Sequence, residues 1–258
     1  MTRCLIGHTG FVGGNLLAQA SFGETYNSKN IHAIRGKEFK EIWCAGVSAT
    51  KWQANKFPEE DWQGIKRLLD DLSTVRAERF VLISTIDVYK TPVGVDENTP
   101  IEMEGHHPYG IHRRRVEEAV AERFPIHHII RLPGLFGPGL KKNIIYDFLH
   151  GNQVENIHAD AVFQFYGLGD LTRQIRTAIE HALPIINFAT EPVSVREVAK
   201  HAFGIDFDNK PFPNPPRYDM QTRYGAFFGS SSPYLFSKDE VLNQIAAFVQ
   251  SCREGIKS

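Results

Sequence analysis

Residues 5–17 read LIGHTGFVGGNLL, and this stretch decides the fold. It contains the spacing Gly7-x-x-Gly10-x-x-Gly13 between an apolar run of strand length and an apolar stretch that predicts a helix. The first glycine permits a tight turn, the second lets backbone approach a pyrophosphate, and the third lets the helix pack close to the strand. The N–H groups that begin such a helix bind phosphate. We therefore expect a dinucleotide-binding turn here, and the alternative is a purely structural turn.

Apolar runs alternate with amphipathic stretches along the rest of the chain. Strands are predicted at Arg3–Gly7, Glu24–Asn27, Glu41–Ala45, Arg79–Ser84, Ile126–Leu132 and Ile185–Ala189. Helices are predicted at Phe11–Ala20, Glu60–Val75, Tyr109–Phe124, Asn143–His150, Gly169–Ala182, Ser194–Ala202 and Lys238–Ser251. The alternation predicts an α/β fold with a doubly wound parallel sheet. We expect the dinucleotide-binding core over residues 1–132, with 185–190 returning to the sheet, and mainly a small substrate lobe over 133–258.

Composition excludes several classes of protein. The chain has 258 residues and a formal net charge of −1, which gives it no global electrostatic reason to bind nucleic acid or an anionic membrane. No segment approaches the roughly 18 apolar residues of a membrane span, and the N-terminus does not read as a signal peptide. Its three widely spaced cysteines predict neither a disulfide framework nor a zinc ribbon. We expect a soluble cytoplasmic protein in which Cys4 and Cys44 are buried.

The end of the second predicted strand bears on the choice of cofactor. Residues 26–30 read YNSKN and contain no acid. An acidic residue at this point holds the ribose 2′-hydroxyl of NAD, whereas Ser28 and Lys29 suit a 2′-phosphate. Asn27, Ser28 and Lys29 are therefore predicted to favour NADP, with NAD as the alternative. Lys29 could also be an ordinary solvated charge.

Three further residues suggest chemistry. Thr85 follows the apolar run of a central strand, at the end of the sheet where α/β folds bind their ligands. Tyr109 and Arg113 are four residues apart on a predicted helix and so project from one face.

With these residues the chain resembles the extended short-chain dehydrogenase/reductase family, a group of nucleotide-sugar epimerases, dehydratases and reductases with a Rossmann-type fold. The resemblance extends over most of the chain. Its motifs are Gly7-x-x-Gly10-x-x-Gly13, Ser84-Thr85-x-Asp87-Val88-Tyr89, Asp96-Glu97-x-x-Pro100, the stretch Arg131–Gly139, and the segment from Phe188-Ala189-Thr190 to Ala199.

The resemblance implies roles for individual residues. Tyr109 would exchange a proton with a substrate hydroxyl while hydride moves to or from the nicotinamide, and Thr85 would hydrogen-bond the same oxygen. A tyrosine with a pKa of about 10 needs a nearby cation to act as a base. The family has a lysine four residues after the tyrosine, where this chain has Arg113, which keeps the charge but cannot relay a proton. An adapted relay, weak or lost catalysis, and a misplaced alignment remain open.

The implied cofactor-binding set is larger. It comprises Gly7, Thr9, Gly10, Phe11, Val12, Gly13, Asn27, Ser28, Lys29, Ala45, Gly46, Val47, Ser84 and Pro133. The expected activity is NAD(P)-dependent oxidation, reduction or epimerisation at a carbinol or carbonyl carbon of a sugar or nucleotide-sugar. The alternative is a non-catalytic NAD(P)-binding or regulatory protein, and a homodimer through the tyrosine-bearing helix is an open option.

The remaining polar residues are weaker candidates. Asp87 is explained equally well as an acid and as a structural turn residue. Thr50 and Lys51 could reach substrate, but we expect Lys51 to be a surface lysine. The pairs His106-His107 and His127-His128 do not have the spacing of a metal site. The connection Asn27–Glu41 has room for one or two helical turns, so one strand–helix unit of the family is missing there.

Overall fold

The computed structural model describes residues 1–255. Its strands are β1 (Arg3–Ile6), β2 (Glu24–Tyr26), β3 (Glu38–Cys44), β4 (Arg76–Thr85), β5 (Val93–Val95), β6 (His127–Leu132), β7 (Gly134–Phe136), β8 (Val162–Phe163), β9 (Phe165–Gly167), β10 (Ile185–Asn187), β11 (Val193–Ser194) and β12 (Asp219–Met220). Its α-helices are α1 (Phe11–Gln19), α2 (Lys51–Lys56), α3 (Pro58–Leu72), α4 (Pro108–Arg123), α5 (Ile144–His150), α6 (Leu171–Glu180), α7 (Val195–Val198) and α8 (Lys238–Gly255).

The described chain divides into two compact units. The sheet unit consists of Met1–Lys90, Thr99–Arg131 and Leu171–Ile186. The second unit consists of Thr91–Asn98, Leu132–Asp170 and the chain from Asn187 onward. The division of function between residues 1–132 and 133–258 stays a prediction.

A six-stranded sheet organises the first of these units, in the order β10-β6-β4-β3-β1-β2. Strand β1 pairs in parallel with β2 on one side and β3 on the other, and β3 pairs in parallel with β4. The chain therefore changes direction across the sheet at β1, which is the place where such folds open a crevice for ligands. This order confirms the predicted α/β doubly wound sheet.

Burial in β4 explains why the sheet needs helices on both faces. Phe80, Val81 and Leu82 are all buried, although successive residues of a strand point to opposite faces. One face packs with apolar residues of α3 and α4, such as Ile65 and Val116. Helices α1 and α6 contact each other elsewhere in the same unit.

The predicted elements are present with bounds that differ by a few residues. The connection after β2 holds one short 3-10 helix, Ile31–Ile34, before β3 begins at Glu38. The predicted helix Ser194–Ala202 is α7 followed by a π-helical turn, Ala199–Phe203. Helix α2 was not predicted. Cys4 and Cys44 are buried free thiols, as expected, and burial raises the pKa of Cys44 to about 11.

The second unit is built from two-stranded sheets and short helices. Strand β11 pairs with β8, β12 with β5, and β7 with β9. Glu97 ties three segments of this unit together, because its carboxylate accepts hydrogen bonds from the backbone N–H of Asn187 (2.8 Å), the hydroxyl of Thr222 (2.7 Å) and the backbone N–H of Arg223 (2.9 Å). The acidic motif at Asp96-Glu97 thus has a structural use.

Two features are absent from the described residues. No helix within residues 1–255 has the length and apolar content that crossing a bilayer requires. Within the same residues, no group of three or more His, Cys, Asp or Glu side chains is arranged to hold a metal ion.

Candidate functional site

The glycine turn joins β1 to α1 through close backbone contacts. Gly7 has a φ of +87°, and its N–H donates to the carbonyl of Tyr26 at 2.7 Å. A Cβ added at Gly7 would lie 2.4 Å from the carbonyl oxygen of Ala45, and one at Gly13 would lie 2.0 Å from the carbonyl oxygen of Gly7. Both distances are far inside van der Waals contact, so larger residues would force these segments apart.

The N-terminus of α1 suits an anion. Gly10 is the N-cap in an extended conformation, and no side chain caps this end of the helix. Thr9 and Gly10 are exposed, while Phe11 and Val12 begin the helix and are half-buried. The first turn therefore offers backbone N–H groups and the positive end of the helix dipole. A tight glycine cradle beside an uncapped helix fits the pyrophosphate of a dinucleotide.

The end of β2 carries no carboxylate for a ribose diol. The side chain of Asn27 accepts the N–H of Lys29 at 2.9 Å, which forms a turn that leaves Ser28 and Lys29 exposed. Glu24 is the acid of this strand, and its carboxylate is bound by Lys37 at 2.7 Å and by the hydroxyl of Tyr26. These bonds lower the pKa of Glu24.

The segment after β3 lies against the glycine turn. The N–H of Ala45 donates to the carbonyl of Ile6 at 2.9 Å, and a Cβ at Gly46 would lie 2.8 Å from Cγ2 of Ile6. Val47 and Ser48 follow, with the carbonyl of Ser48 accepting a hydrogen bond from Arg113.

Thr85 and Tyr109, the two polar residues predicted to act on one substrate oxygen, lie at the end of β4 and the start of α4. Thr85 is the last residue of β4, and its Oγ1 accepts the N–H of Asp87 at 3.1 Å. Tyr109 lies in the first turn of α4 and is only 6% exposed. The start of α4 packs against the turn after Thr85, because a Cβ at Gly110 would lie 2.4 Å from the carbonyl oxygen of Asp87. Burial raises the pKa of the Tyr109 phenol, and the opposing effects of Arg113 and Thr85 do not cancel that rise. Tyr109 is therefore a neutral hydrogen-bond donor at neutral pH.

Arg113 is buried and forms an ion pair with Asp61, a residue that the sequence did not identify as part of the site. Its guanidinium lies 4.1 Å from the centroid of the Tyr109 ring and is 4% exposed. Nη1 donates to Oδ2 of Asp61 at 2.5 Å, and Nη2 donates to Oδ1 at 3.1 Å and to the Ser48 carbonyl. Burial alone would raise the pKa of Asp61, but hydrogen bonds from Arg113 and His112 outweigh burial and lower it.

A second cation reaches this region from α2. Lys51 Nζ lies 2.7 Å from Oδ1 of Asp87, in the turn that follows β4. The expectation of a plain surface lysine is therefore incomplete. Asp87, left open between an acid and a turn residue, is an ion-pair partner within that turn.

His106 and His107 organise the start of α4. Nδ1 of His107 accepts the N–H of Gly110 at 2.9 Å and caps the helix, and Nε2 of His106 lies 3.2 Å from the carbonyl of Val88. A Cβ at Gly110 would lie 2.2 Å from Nε2 of His106, so glycine is required for this packing. Burial lowers the pKa of both histidines.

Ser84 belongs to a buried network behind the site. Its hydroxyl donates to Oε1 of Glu117 at 2.6 Å, and the same carboxylate receives two hydrogen bonds from Arg131. Arg131 also donates to the hydroxyl of Tyr89 at 2.7 Å. Burial opposes the charge of Arg131, but the bonds to Glu117 outweigh it and raise the pKa of Arg131. This network fixes α4 against β4 and β6 and uses the Ser84 hydroxyl.

The predicted residues fall mostly in one unit. The glycine turn, the end of β2, the segment after β3, Thr85, Tyr109 and Arg113 all belong to the sheet unit, whereas Pro133 belongs to the second unit. Asp61 and Lys51 could have been suspected only as charges near an expected site, because each contacts its partner across more than 30 residues of sequence.

Comparison with known proteins gives similarity at the level of structure. No protein-family model and no curated protein matches the sequence. The solved structure of MoeE5 in complex with UDP-glucose and NAD has a TM-score of 0.75 at 14% identity, covering 99% of this chain and 100% of that chain.

Two other solved structures give the same result. TunA, an NAD-dependent NDP-hexosamine 5,6-dehydratase, has a TM-score of 0.73 at 17% identity, covering 97% of this chain and 98% of its own. UDP-glucose 4-epimerase from Thermotoga maritima, solved with UDP-glucose, has a TM-score of 0.71 at 15% identity, covering 99% and 100%. Over nearly its whole length, the chain has the Rossmann-type fold of these three solved structures.

Proposed function

We propose that the protein is an NAD(P)-dependent oxidoreductase or epimerase that acts at a carbinol or carbonyl carbon of a sugar or nucleotide-sugar. The observation that carries this proposal is the packing of the start of α4, with its buried Tyr109 phenol, against the turn that follows Thr85 at the carboxyl end of β4. It puts a proton-donating phenol and an orienting hydroxyl at the edge of the sheet where α/β folds bind ligands. The glycine turn that fits a dinucleotide lies in the same unit.

In this proposal each residue acts on one oxygen of the substrate. A bound nicotinamide would supply or accept hydride at the neighbouring carbon. Tyr109 Oη gives a proton to the oxygen when a carbonyl is reduced and takes it when an alcohol is oxidised. Thr85 Oγ1 hydrogen-bonds the same oxygen and orients it. Arg113 holds the Tyr109 ring from one side, because its guanidinium is fixed by Asp61 and Ser48.

The solved neighbours support the substrate class. MoeE5 and the Thermotoga maritima epimerase were solved with UDP-glucose. We assign dinucleotide binding to residues 1–132, with 185–190, and sugar binding mainly to 133–258. Pro133 is proposed to contact the cofactor.

NADP is the proposed cofactor form, with NAD as the alternative. The support is the lack of an acid at residues 27–30 and the exposure of Ser28 and Lys29. Lys29→Glu is expected to lower the ratio of NADP to NAD affinity about tenfold, because it removes one charge contact to the 2′-phosphate. Lys66→Glu, at an exposed position of α3, is the control. An unchanged ratio would remove the argument for NADP.

The decisive experiment combines ligand binding with turnover. Thermal unfolding is measured with NADP, NAD and UDP-, GDP- and dTDP-sugars, and the stabilising pair is then assayed for a change in nicotinamide absorbance. Tyr109→Phe is expected to keep dinucleotide binding and to lose turnover about 10²–10⁴-fold. Equal turnover by wild type and Tyr109→Phe would exclude the mechanism, and stabilisation by no dinucleotide would exclude the function.

A non-catalytic NAD(P)-binding protein is the second candidate. The observation in its favour is that Arg113 stands where a proton relay would need a lysine: its Nη atoms are hydrogen-bonded to Asp61 and Ser48, and a guanidinium does not release a proton at neutral pH. This candidate predicts that NADP or NAD stabilises wild type and Tyr109→Phe equally while no sugar substrate is turned over.

A further inference from the structure

Tyr109 has two neighbouring cations, and they differ in what they can do. Arg113 is 4% exposed, and hydrogen bonds to Asp61 and Ser48 fix its guanidinium. An arginine held in this way cannot move with a ligand, and it does not release a proton. Arg113 therefore stabilises the position of Tyr109 without exchanging protons with it.

Lys51 is in the opposite situation. It is the first residue of α2, its side chain is 38% exposed, and its ammonium forms an ion pair with Asp87 at 2.7 Å. The side chain of Asp87 is 17% exposed, so the pair lies at the boundary between the interior and water. An ammonium in this position can exchange protons with solvent.

Backbone contacts place this ion pair beside the start of α4. The side chain of Asn55, which lies on α2 with Lys51, accepts the N–H of Tyr109 at 3.0 Å. A Cβ at Gly110, the residue after Tyr109, would lie 2.4 Å from the carbonyl oxygen of Asp87. The N–H of Asp87 donates to Oγ1 of Thr85 at 3.1 Å, so the turn that carries Asp87 fixes both the Thr85 hydroxyl and the carboxylate that orients Lys51.

Charged and titratable groups surround Lys51. They include Asp87, His106, His107 and Tyr109. Burial has the largest effect on the pKa of Tyr109 and raises it; among the charged neighbours Arg113 lowers this pKa, Asp87 raises it, and Lys51 lowers it by a smaller amount. Burial lowers the pKa of both histidines, so they are neutral at neutral pH and Lys51 is the solvent-accessible cation of this group.

We propose that Lys51, oriented by Asp87, is a positioning residue that supplies Tyr109 with a solvent-accessible positive charge. Lys51, on α2, can exchange protons with solvent, whereas Arg113, on α4, is fixed and cannot release a proton. The consequence for catalysis rests on the proposed function. The electrostatic effect on Tyr109 does not.

The test uses the protein alone and needs neither cofactor nor substrate. All eight tyrosines are replaced by ring-fluorinated tyrosine, whose phenol ionises at a lower pH, and the fluorine resonances are followed against pH. The resonance that Tyr109→Phe removes is that of residue 109. In Lys51→Met this resonance is expected to titrate about half a pH unit or more above wild type, because a neighbouring cation has been lost.

Two variants separate charge from structure. Lys51→Arg restores a cation and is expected to titrate within about 0.3 pH units of wild type, since only a small residual electrostatic difference remains. Lys56→Met removes a charge from the same helix, where the ammonium lies over the Phe57 ring instead of beside Asp87, and is expected to leave Tyr109 unchanged. The proposal is overturned if Lys51→Met titrates like Lys56→Met, or if Lys51→Arg does not restore the wild-type value.

Turnover then tests the consequence separately. If the protein oxidises an alcohol, kcat of Lys51→Met should rise to its plateau at higher pH than kcat of wild type, because Tyr109 must lose its proton to act as a base. A shifted Tyr109 resonance in a protein without turnover would support Lys51 and reject the proposed function. An unshifted resonance in an active enzyme would reject Lys51 alone.

Discussion

The ion pair with Asp61 determines what Arg113 can do in the structure. From sequence, Arg113 is a cation four residues after a tyrosine. In the structure both Nη atoms are hydrogen-bonded to Asp61 or Ser48, and His112 binds the same carboxylate at 2.8 Å. Removing one member of a buried ion pair leaves the other charge desolvated, and this costs more than the pair itself contributes.

Asp61→Asn is therefore expected to destabilise the protein by about 3–5 kcal/mol, because it leaves the Arg113 charge buried without a counterion. The double variant Asp61→Asn/Arg113→Met should recover most of that loss, since neither charge remains. Chemical denaturation of the wild type, both single variants and the double variant gives the coupling free energy. Additive effects of the two substitutions would contradict this account.

At the scale of elements, regular packing was easier to predict than individual contacts. The apolar run of β4 and the glycine spacing before α1 identify their elements because burial and close approach restrict residue types. Helix α2 escaped prediction because it has six residues and buries only Ala54, which is too little for a periodic pattern. The Lys51–Asp87 and Arg113–Asp61 ion pairs could not be predicted, because a sequence does not show whether a charged residue is exposed to solvent or paired with another charge.

The turn between β1 and α1 gives a matched pair of substitutions at adjacent residues. Gly13→Ala would put a Cβ 2.0 Å from the carbonyl oxygen of Gly7, so it is expected to lower the melting temperature and to abolish stabilisation by dinucleotides. At Gly14 the nearest atom would be 3.7 Å away, which is ordinary contact. Gly14→Ala should be neutral or stabilising by up to about 1 kcal/mol, because alanine favours a helix.

Thermal unfolding and dinucleotide titrations of the two variants decide between a close-packed turn and a loose one. Equal melting temperatures and equal affinities would mean that the turn tolerates a side chain at Gly13. The close approach that we use to explain the glycine spacing would then be wrong.

At the scale of the whole molecule, the net charge is close to zero, but several titratable groups are buried and have shifted pKa values. The formal net charge is −1, so the overall field neither attracts nor repels an anionic nucleotide. In the proposed function, the N–H groups at the start of α1 and local cations would attract the nucleotide instead. The folded protein keeps His106, His107 and His128 neutral by burial and holds Asp61 and Glu41 ionised through paired arginines.

All of these pKa shifts lower the free energy of unfolding as the pH falls. Burial lowers the pKa of the three histidines, so the unfolded chain binds more protons once the pH falls below about 6.5, and stability is lost from there down to the folded pKa values. Asp61 and Glu41 also have lowered pKa values, and their stabilisation is lost only near and below about pH 4. We therefore expect the melting temperature to fall in two stages on acidification, with the histidine stage first.

His128 allows the histidine stage to be tested at a single site. Its Nδ1 donates to the carbonyl of Leu183 at 2.7 Å, while Nε2 is buried and has no hydrogen-bond partner within the described residues. Protonation would bury an unpaired N–H, which explains the lowered pKa. His128→Asn keeps a donor near Leu183 but does not titrate, so its melting temperature should fall less steeply than that of wild type between about pH 6.5 and pH 5, each histidine contributing at most about 1.4 kcal/mol per pH unit. Parallel slopes for the two proteins would assign the acid loss to other groups.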